Sequence, residues 1–131
     1  MQWWRYWQLA DVVKIRIGLV VHPGLVTGFA PNGEPLITSK TLRHGVMEER
    51  LSQFLGSYPW QHEPHSGPLS RLEVVNRARR MIRQPWAPLS NCEHFLAEAQ
   101  GRQPSSPQLQ GAIAMGILAL LLFAGKGVKA A

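Results

Sequence analysis

Residues 12–39 read VVKIRIGLVVHPGLVTGFAPNGEPLITS, and this stretch decides the fold. In residues 12–21, apolar side chains alternate with Lys14 and Arg16, which is the pattern of a strand that keeps one face in water. Gly18 interrupts this pattern, so we expect a bulge or a bend there. The first part of the chain is therefore predicted to form β-structure.

The Asn32-Gly33 pair lies between two apolar runs and is a strong turn signal. It predicts a β-hairpin whose second strand covers residues 36–39. Beyond the hairpin, apolar residues recur at helical spacing in residues 46–55, where they predict a first helix. The segment YPWQHEPHSGP, residues 58–68, is predicted to be a loop.

Two capping boxes predict the starts of two further helices. Ser70 with Glu73 opens the first, and Ser90 with Glu93 opens the second, which ends at Gly101. Apolar residues at helical spacing are predicted to form the buried stripe of the first: Leu72, Val75, Ala78 and Ile82. This order of elements predicts an α+β fold, with a small antiparallel β-sheet packed against helices.

Composition and charge fit one globular domain with a short appendage. The chain has 131 residues, of which 45% are hydrophobic and 17% charged, so its composition is far from that of a disordered protein. Its net charge of +6 favours anionic partners, either phospholipid or nucleic acid. No recognised motif accompanies the arginines of residues 77–83, so we expect no nucleic acid. A single cysteine fits a reducing compartment, and the first residues predict no secretory signal, so we expect a cytoplasmic protein.

Both ends of the chain carry features of a membrane surface. Aromatic residues crowd residues 1–10 around Arg5, a mixture typical of a membrane interface, although the same rings could fold back over the core. After the linker of residues 102–110, the uncharged residues 111–125 would form a helix about 22 Å long, which is short against a hydrocarbon core of about 30 Å. We expect this helix to associate with a membrane; a buried soluble helix is the alternative. The arginines of residues 77–83 either face lipid headgroups or form a solvated helix face.

Cys92, the only cysteine, lies in SNCEHF, residues 90–95. With Ser90 as N-cap, it would occupy the N2 position in the first turn of a helix. Unpaired backbone N–H groups and the helix dipole lower the pKa of a thiol there. The same N–H groups would hydrogen-bond an oxyanion on an attacked carbonyl. These local features fit a nucleophile and a small buried cysteine equally well.

His94 is close to Cys92 in sequence, but side chains two positions apart on a helix point about 200° away from each other. This geometry excludes His94 as the base and excludes the pair as a metal chelate, so we expect His94 to be a structural side chain. His62 and His65 lack the further ligands of a zinc site, so we expect no metal. His22 ends an apolar strand, which favours it as the histidine that faces a helix N-terminus.

The string NCEHF, preceded by VVNRARRMIRQPWAPLS, resembles the catalytic signature of the lecithin–retinol acyltransferase family. That family belongs to the circularly permuted NlpC/P60 branch of papain-like thiol enzymes. Upstream, DVVKIRIGLVVHPGLVTG resembles the family's strand that ends in the catalytic histidine, and the likeness covers residues 11–101. It implies a permuted NlpC/P60-like fold, with Cys92 as the nucleophile and His22 as the base. It implies no cofactor.

The third residue of this site departs from the family pattern. Better-known members carry a second histidine on the next strand, where this chain has Thr38 with Ser39 beside it. A hydroxyl can still accept a hydrogen bond from the imidazole and orient it. The resemblance therefore implies Thr38, or Ser39 in its place, as the third residue.

The resemblance implies acyl transfer from a lipid ester, commonly of a glycerophospholipid. The thiolate attacks the ester and forms a thioester, from which water or an acceptor takes the acyl group. We therefore predict a thiol acyltransferase or phospholipase that is held at a membrane by its C-terminal tail and basic residues. Two alternatives stay open: a peptidase or amidase of the wider NlpC/P60 group, and a non-catalytic membrane-associated module of the same fold. The sequence leaves the oligomeric state open.

Overall fold

The computed structural model describes residues 3–86 and 91–102 of the chain. The predicted apolar helix of residues 111–125 and most of the linker before it lie outside these ranges. Within them, a short 3-10 helix (Trp3–Tyr6) precedes the strands β1 (Val12–Ile17), β2 (Val20–Phe29), β3 (Pro35–Thr41), β4 (Gly45–Arg50) and β5 (Trp60–Glu63). The α-helices are α1 (Leu51–Leu55), α2 (Arg71–Arg80) and α3 (Cys92–Ala99).

The five strands form one sheet in the order β4-β3-β2-β1-β5, and every neighbouring pair is antiparallel. Only β5 departs from sequence order, because the chain passes through α1 before it pairs with β1. This confirms the predicted α+β fold with a small antiparallel sheet. The hairpin at Asn32-Gly33 is confirmed as well: it joins β2 to β3, and Gly33 has a φ of 88° in the turn.

The predicted single strand of residues 12–21 is in fact two strands, β1 and β2. Gly18, with a φ of 63°, and Leu19 form a tight turn between them. Pairing begins directly at Ile17 and Val20. A glycine at positive φ reverses the chain in a two-residue loop, which a bulge or bend does not do. The β-structure was predicted correctly, but the reversal was missed, and β1 does not keep one face in water, because Val12 is buried on the face that it shares with Lys14 and Arg16.

Strand pairing also explains two wrong predictions further along the chain. Residues 46–50 were predicted as helix but belong to β4, and only residues 51–55 are helical. Residues 60–63 were predicted as loop but form β5. In both places the chain meets an open edge of a neighbouring strand, and main-chain pairing there outweighs a weak local preference.

Each face of the sheet carries its own hydrophobic cluster. The pleat separates them, since successive side chains of a strand point to opposite faces. The α2–α3 face holds Ala10, Val12, Leu25, Val46, Val74, Val75, Ala78, Met81, Phe95 and Ala99. The α1 face holds Trp7, Val13, Ile15, Val26, Ile37, Leu51, Phe54 and Leu55.

Helix α2 buries a different side from the predicted stripe. Val75 and Ala78 are buried as predicted, but Leu72 is 62% exposed and Ile82 is exposed too. Val74 is fully buried in their place. Because α2 packs against both β2 and α3, its buried side is centred between these two neighbours.

The aromatic N-terminal segment divides between the core and the surface. Trp7 is buried, and its ring stacks on His62 with ring centres 4.2 Å apart. Trp3 and Tyr6 are exposed, and Trp3 stacks on the exposed Trp60 at 4.9 Å. The segment therefore folds back over the protein and still presents rings to the surroundings, so each of the two interpretations of this segment describes part of it.

Asp11 connects three distant parts of the chain, and its side chain is only 3% exposed. Oδ1 accepts hydrogen bonds from Arg71 Nη1 (2.6 Å) and from the backbone N–H of His65 (3.1 Å). Oδ2 accepts one from the Gln8 N–H (2.9 Å) and lies 2.8 Å from His62 Nε2. Burial alone would raise the pKa of Asp11, but these hydrogen bonds outweigh it and lower the pKa below its ordinary value of 3.8.

Replacing Asp11 with alanine leaves an arginine and two backbone N–H groups without their acceptor. We expect the free energy of unfolding to fall by about 3 kcal/mol or more. Glu63→Ala is the matched control: Glu63 pairs with Lys14 at 3.1 Å where both side chains are about a third exposed, so its loss should stay below about 1 kcal/mol. Urea unfolding followed by circular dichroism measures both. Equal losses in the two variants would contradict a special role for Asp11.

Candidate active site

Cys92 is the first residue of α3, and Asn91 rather than Ser90 is the N-cap of this helix. Asn91 Oδ1 accepts hydrogen bonds from the backbone N–H groups of Glu93 (3.0 Å) and His94 (3.2 Å). Asparagine caps a helix as well as serine does, so the sequence offered two adjacent candidates. The predicted N-cap was thus displaced by one residue, and Cys92 occupies N1 instead of N2.

His94 belongs to this helix cap. Its Nδ1 lies 3.0 Å from Asn91 Oδ1 and 3.4 Å from the backbone nitrogen of Asn91. Asn91 and His94 thus form a reciprocal capping box, with histidine in the place that glutamate or glutamine usually takes. The ring has a structural function, as the sequence predicted.

The surroundings of Cys92 raise the pKa of its thiol above the ordinary value of 9.0. Burial is the largest cause, and the negative charge of Glu93 adds to it. The nearby backbone N–H groups of Glu93 and Cys92 favour the thiolate and lower the pKa, but their effect is outweighed. The expectation that the helix N-terminus would lower this pKa was therefore wrong for the free protein.

His22 lies near the start of β2, directly opposite Ile15 of β1, and its ring stacks on Phe54 with ring centres 5.6 Å apart. Both neighbours belong to the cluster of the α1 face. A Cβ on Gly24, two positions further along β2, would collide with Ile37 Cγ2 and lie 3.0 Å from the Phe54 ring, so glycine keeps this space open. Burial lowers the pKa of His22 to about 4, which leaves the imidazole neutral at pH 7.

Thr38 lies on the α2–α3 face, opposite to the face of His22. It pairs with Leu25, and its Oγ1 lies 2.6 Å from Thr27 Oγ1 and 3.5 Å from Glu48 Oε2. A residue that orients an imidazole must reach the ring from the same side of the sheet. The structure does not bring Thr38 to His22, and its hydroxyl is used in a different network.

Ser39 shares the face of His22. It follows Ile37 by two positions, and Ile37 belongs to the cluster of the α1 face. The Ser39 side chain is fully buried, and its hydroxyl has no hydrogen-bond partner among the described residues. A buried hydroxyl without a partner is costly and uncommon. Of the two predicted third residues, Ser39 is the one on the correct face.

The predicted site residues are not hydrogen-bonded to one another in the free protein. Within the described ranges, no hydrogen bond joins the Cys92 thiol to the His22 ring, and neither is bonded to Ser39. The body of α3 packs on the α2–α3 face through Phe95, whereas the His22 ring packs on the α1 face. Helix α3 supplies the thiol and strand β2 supplies the imidazole. Both groups are neutral in the free protein at pH 7.

A polar network that the sequence did not predict lies beside Thr38. Thr27 Oγ1 donates to Glu48 Oε2 at 2.6 Å, and Arg79 Nη2 donates to the Thr27 carbonyl at 2.8 Å while lying 3.8 Å from Glu48 Oε2. Thr27 and Thr38 were the sequence feature that could have indicated this network, since hydroxyls at inward strand positions need hydrogen-bond partners. This network ties α2 to the sheet, so Arg79 has a structural partner within the protein.

The histidines considered for a metal site have other partners. His62 Nε2 contacts Asp11, and His65 Nε2 lies 2.7 Å from the Leu69 carbonyl. No group of three or more histidine, cysteine or carboxylate side chains arranged to hold a metal occurs in residues 3–86 and 91–102.

Comparison of the chain with models of known protein families gave no match, and a search of curated proteins gave none either. Among the helices of the described ranges, none has the length and apolar character needed to cross a bilayer.

The buried imidazole predicts a pH dependence of folding. The pKa of His22 is about 4 in the folded protein and 6.5 in its ordinary state, so the unfolded chain binds more protons between these values. The contribution of His22 to stability is complete above pH 6.5 and is lost as the pH falls towards 4. His22→Phe should remove this part of the pH dependence of the urea midpoint. A ring that titrates near 6.5 by NMR would contradict its burial.

Proposed function

We propose that this chain is a thiol-dependent acyltransferase or phospholipase that takes an acyl group from a lipid ester onto Cys92. The observation that carries the proposal is the position of Cys92 at the first residue of α3, at the N-terminus of that helix. The same position carries the nucleophile in the lecithin–retinol acyltransferase pattern that NCEHF resembles. A permuted NlpC/P60-like topology belongs to the same proposal.

Cys92 and His22 have complementary tasks in the proposed reaction. The neutral His22 ring accepts the thiol proton, and the thiolate attacks the ester carbonyl. The Cys92 N–H at the start of α3 stabilises the oxyanion that forms, since the Glu93 and His94 N–H groups are held by Asn91 Oδ1. The imidazolium then protonates the departing alcohol and leaves an acyl thioester on Cys92. Water or an acceptor alcohol or amine, deprotonated by His22, releases the acyl group.

The pKa directions set a condition for this chemistry. Burial raises the pKa of Cys92 and lowers the pKa of His22, because each charge alone would be poorly solvated. A thiolate and an imidazolium in contact stabilise each other and reverse both effects. The proposed reaction therefore requires the Cys92 sulfur and the His22 ring to come into contact, although α3 and the ring pack on opposite faces of the sheet in the free protein.

Incubation with phosphatidylcholine, followed by intact-protein mass spectrometry and measurement of released fatty acid, tests the proposal. We expect an acyl adduct on Cys92, fatty-acid release, or both, since fast deacylation would leave only the release visible. Cys92→Ser should abolish both signals, and His22→Gln should slow them by about 100-fold or more. Normal release by Cys92→Ser, or neither signal in the wild type, would contradict the proposed function.

The two hydroxyl residues of β3 give a matched pair for the third residue. If Ser39 orients the His22 ring, Ser39→Ala should lower kcat by about tenfold and shift the acid limb of the pH–rate profile. Thr38→Val should leave the pH profile unchanged, although it loses a buried hydrogen bond and some stability. Unfolding measurements on both variants separate the two effects. The reverse pattern would restore Thr38 as the third residue.

A non-catalytic module is the second candidate, and one observation favours it. The thiol and the imidazole are not hydrogen-bonded, and both are neutral in the free protein. Such a protein would yield no adduct and no release with any acyl donor, while folding and membrane association would be unaffected by Cys92→Ser.

A further inference from the structure

Three loops meet at one end of the sheet, which we call the loop end. The antiparallel register brings them there: β1 ends where β2 begins, Thr41 pairs with Gly45 across the β3–β4 turn, and Trp60 at the start of β5 pairs with Ile15 near the end of β1. The loop end therefore consists of residues 16–20, 41–45 and 56–60.

The loop end carries most of the large apolar side chains that are exposed in the described ranges. Leu19 is 95% exposed at the tip of the β1–β2 turn, and Leu42 is 76% exposed at the tip of the β3–β4 turn. The exposed apolar residues of the three loops are Ile17, Leu19, Val20, Leu42, Tyr58 and Trp60. Trp3 adds a further exposed ring because it stacks on Trp60. Single exposed apolar residues are ordinary, but a cluster on three loops indicates a contact surface.

The charge of these loops has one sign. Arg16 and Arg43 are exposed there, and none of the three loops contains an aspartate or a glutamate. The nearest acidic side chain along β5 is Glu63, at the far end of that strand, where it pairs with Lys14. An anionic partner would therefore meet cations and no opposing charge at this end.

The shape of the loop end distinguishes a bilayer from a folded partner. Leu19 and Leu42 project from the tips of separate turns, and neither belongs to the pocket that Arg16, Val21, Pro59 and Trp60 line at this end, so the two leucines share no concave surface with it. A bilayer accepts scattered side chains: leucine enters the acyl region, tryptophan and tyrosine lie at headgroup depth, and arginine stays beside phosphate. We infer that the loop end is a docking surface for a bilayer that contains anionic phospholipid.

This inference goes beyond the proposed chemistry and does not depend on it. It rests on exposure and charge in the loops and uses neither Cys92 nor the pKa of any group. Docking would bring the start of β2, with His22, next to lipid headgroups. The predicted apolar helix of residues 111–125 could bind lipid by itself, so the test must report on the loop end locally.

A single reporter thiol gives that local signal. In the full-length Cys92→Ser protein, Leu19→Cys is labelled with an environment-sensitive fluorophore. Leu72→Cys, labelled in the same way, is the matched control, because Leu72 is also an exposed leucine but lies on α2. Vesicles of phosphatidylcholine alone and of phosphatidylcholine with phosphatidylserine are added to each protein. We expect a blue shift and at least a twofold gain in emission at position 19, larger with phosphatidylserine, and no change at position 72.

Each other outcome overturns the inference. No response at position 19 would mean that the loop end does not enter the bilayer, whatever the rest of the chain does. Equal responses at both positions would mean unspecific adsorption. A response at position 19 that rises with protein concentration and needs no vesicles would assign the surface to a second copy of the chain. Because Cys92 is absent from these proteins, none of these results bears on acyl transfer.

Discussion

The fold depends on one buried carboxylate. Asp11 stands at the start of β1 and accepts hydrogen bonds from the N-terminal segment, from the loop after β5 and from α2. Its backbone carbonyl also accepts from the Val26 N–H of β2. An ionised carboxylate can be buried only if its acceptor capacity is filled, and here the three donors to the side chain together with His62 Nε2 fill it. Helix α2, the N-terminal segment and the sheet are held in one arrangement because they share this acceptor.

Local sequence patterns correctly predicted the structural features that depend only on neighbouring residues. The strand of residues 12–17, the Asn32-Gly33 turn and the Ser70 cap were predicted correctly because a strand, a tight turn and a helix start depend on adjacent residues. The strand β5 and the contacts of Asp11 were missed, since both involve residues about fifty positions apart. Nothing in the local sequence of residues 60–63 indicates that the edge of β1 is open to them.

In the candidate active site too, local features were predicted and features that depend on distant residues were not. The first turn of a helix was correctly expected at Cys92, and His94 was correctly assigned a structural function. The pKa of the thiol was not predicted, because burial depends on the whole fold and here outweighs the local N–H groups. The choice between Thr38 and Ser39 depends on register: one step along β3 moves a side chain to the other face of the sheet, and only the pairing with β2 shows which face that is.

The central claim about the site is that the Cys92 thiol and the His22 imidazole are both neutral in the free protein. The rate at which iodoacetamide alkylates Cys92, measured against pH, tests that claim directly, since Cys92 is the only thiol in the chain. The account predicts a rate that rises through a single titration above the ordinary thiol value of 9.0, with little reaction at pH 7. A plateau that begins near neutral pH would show a thiolate–imidazolium pair at rest and would contradict it.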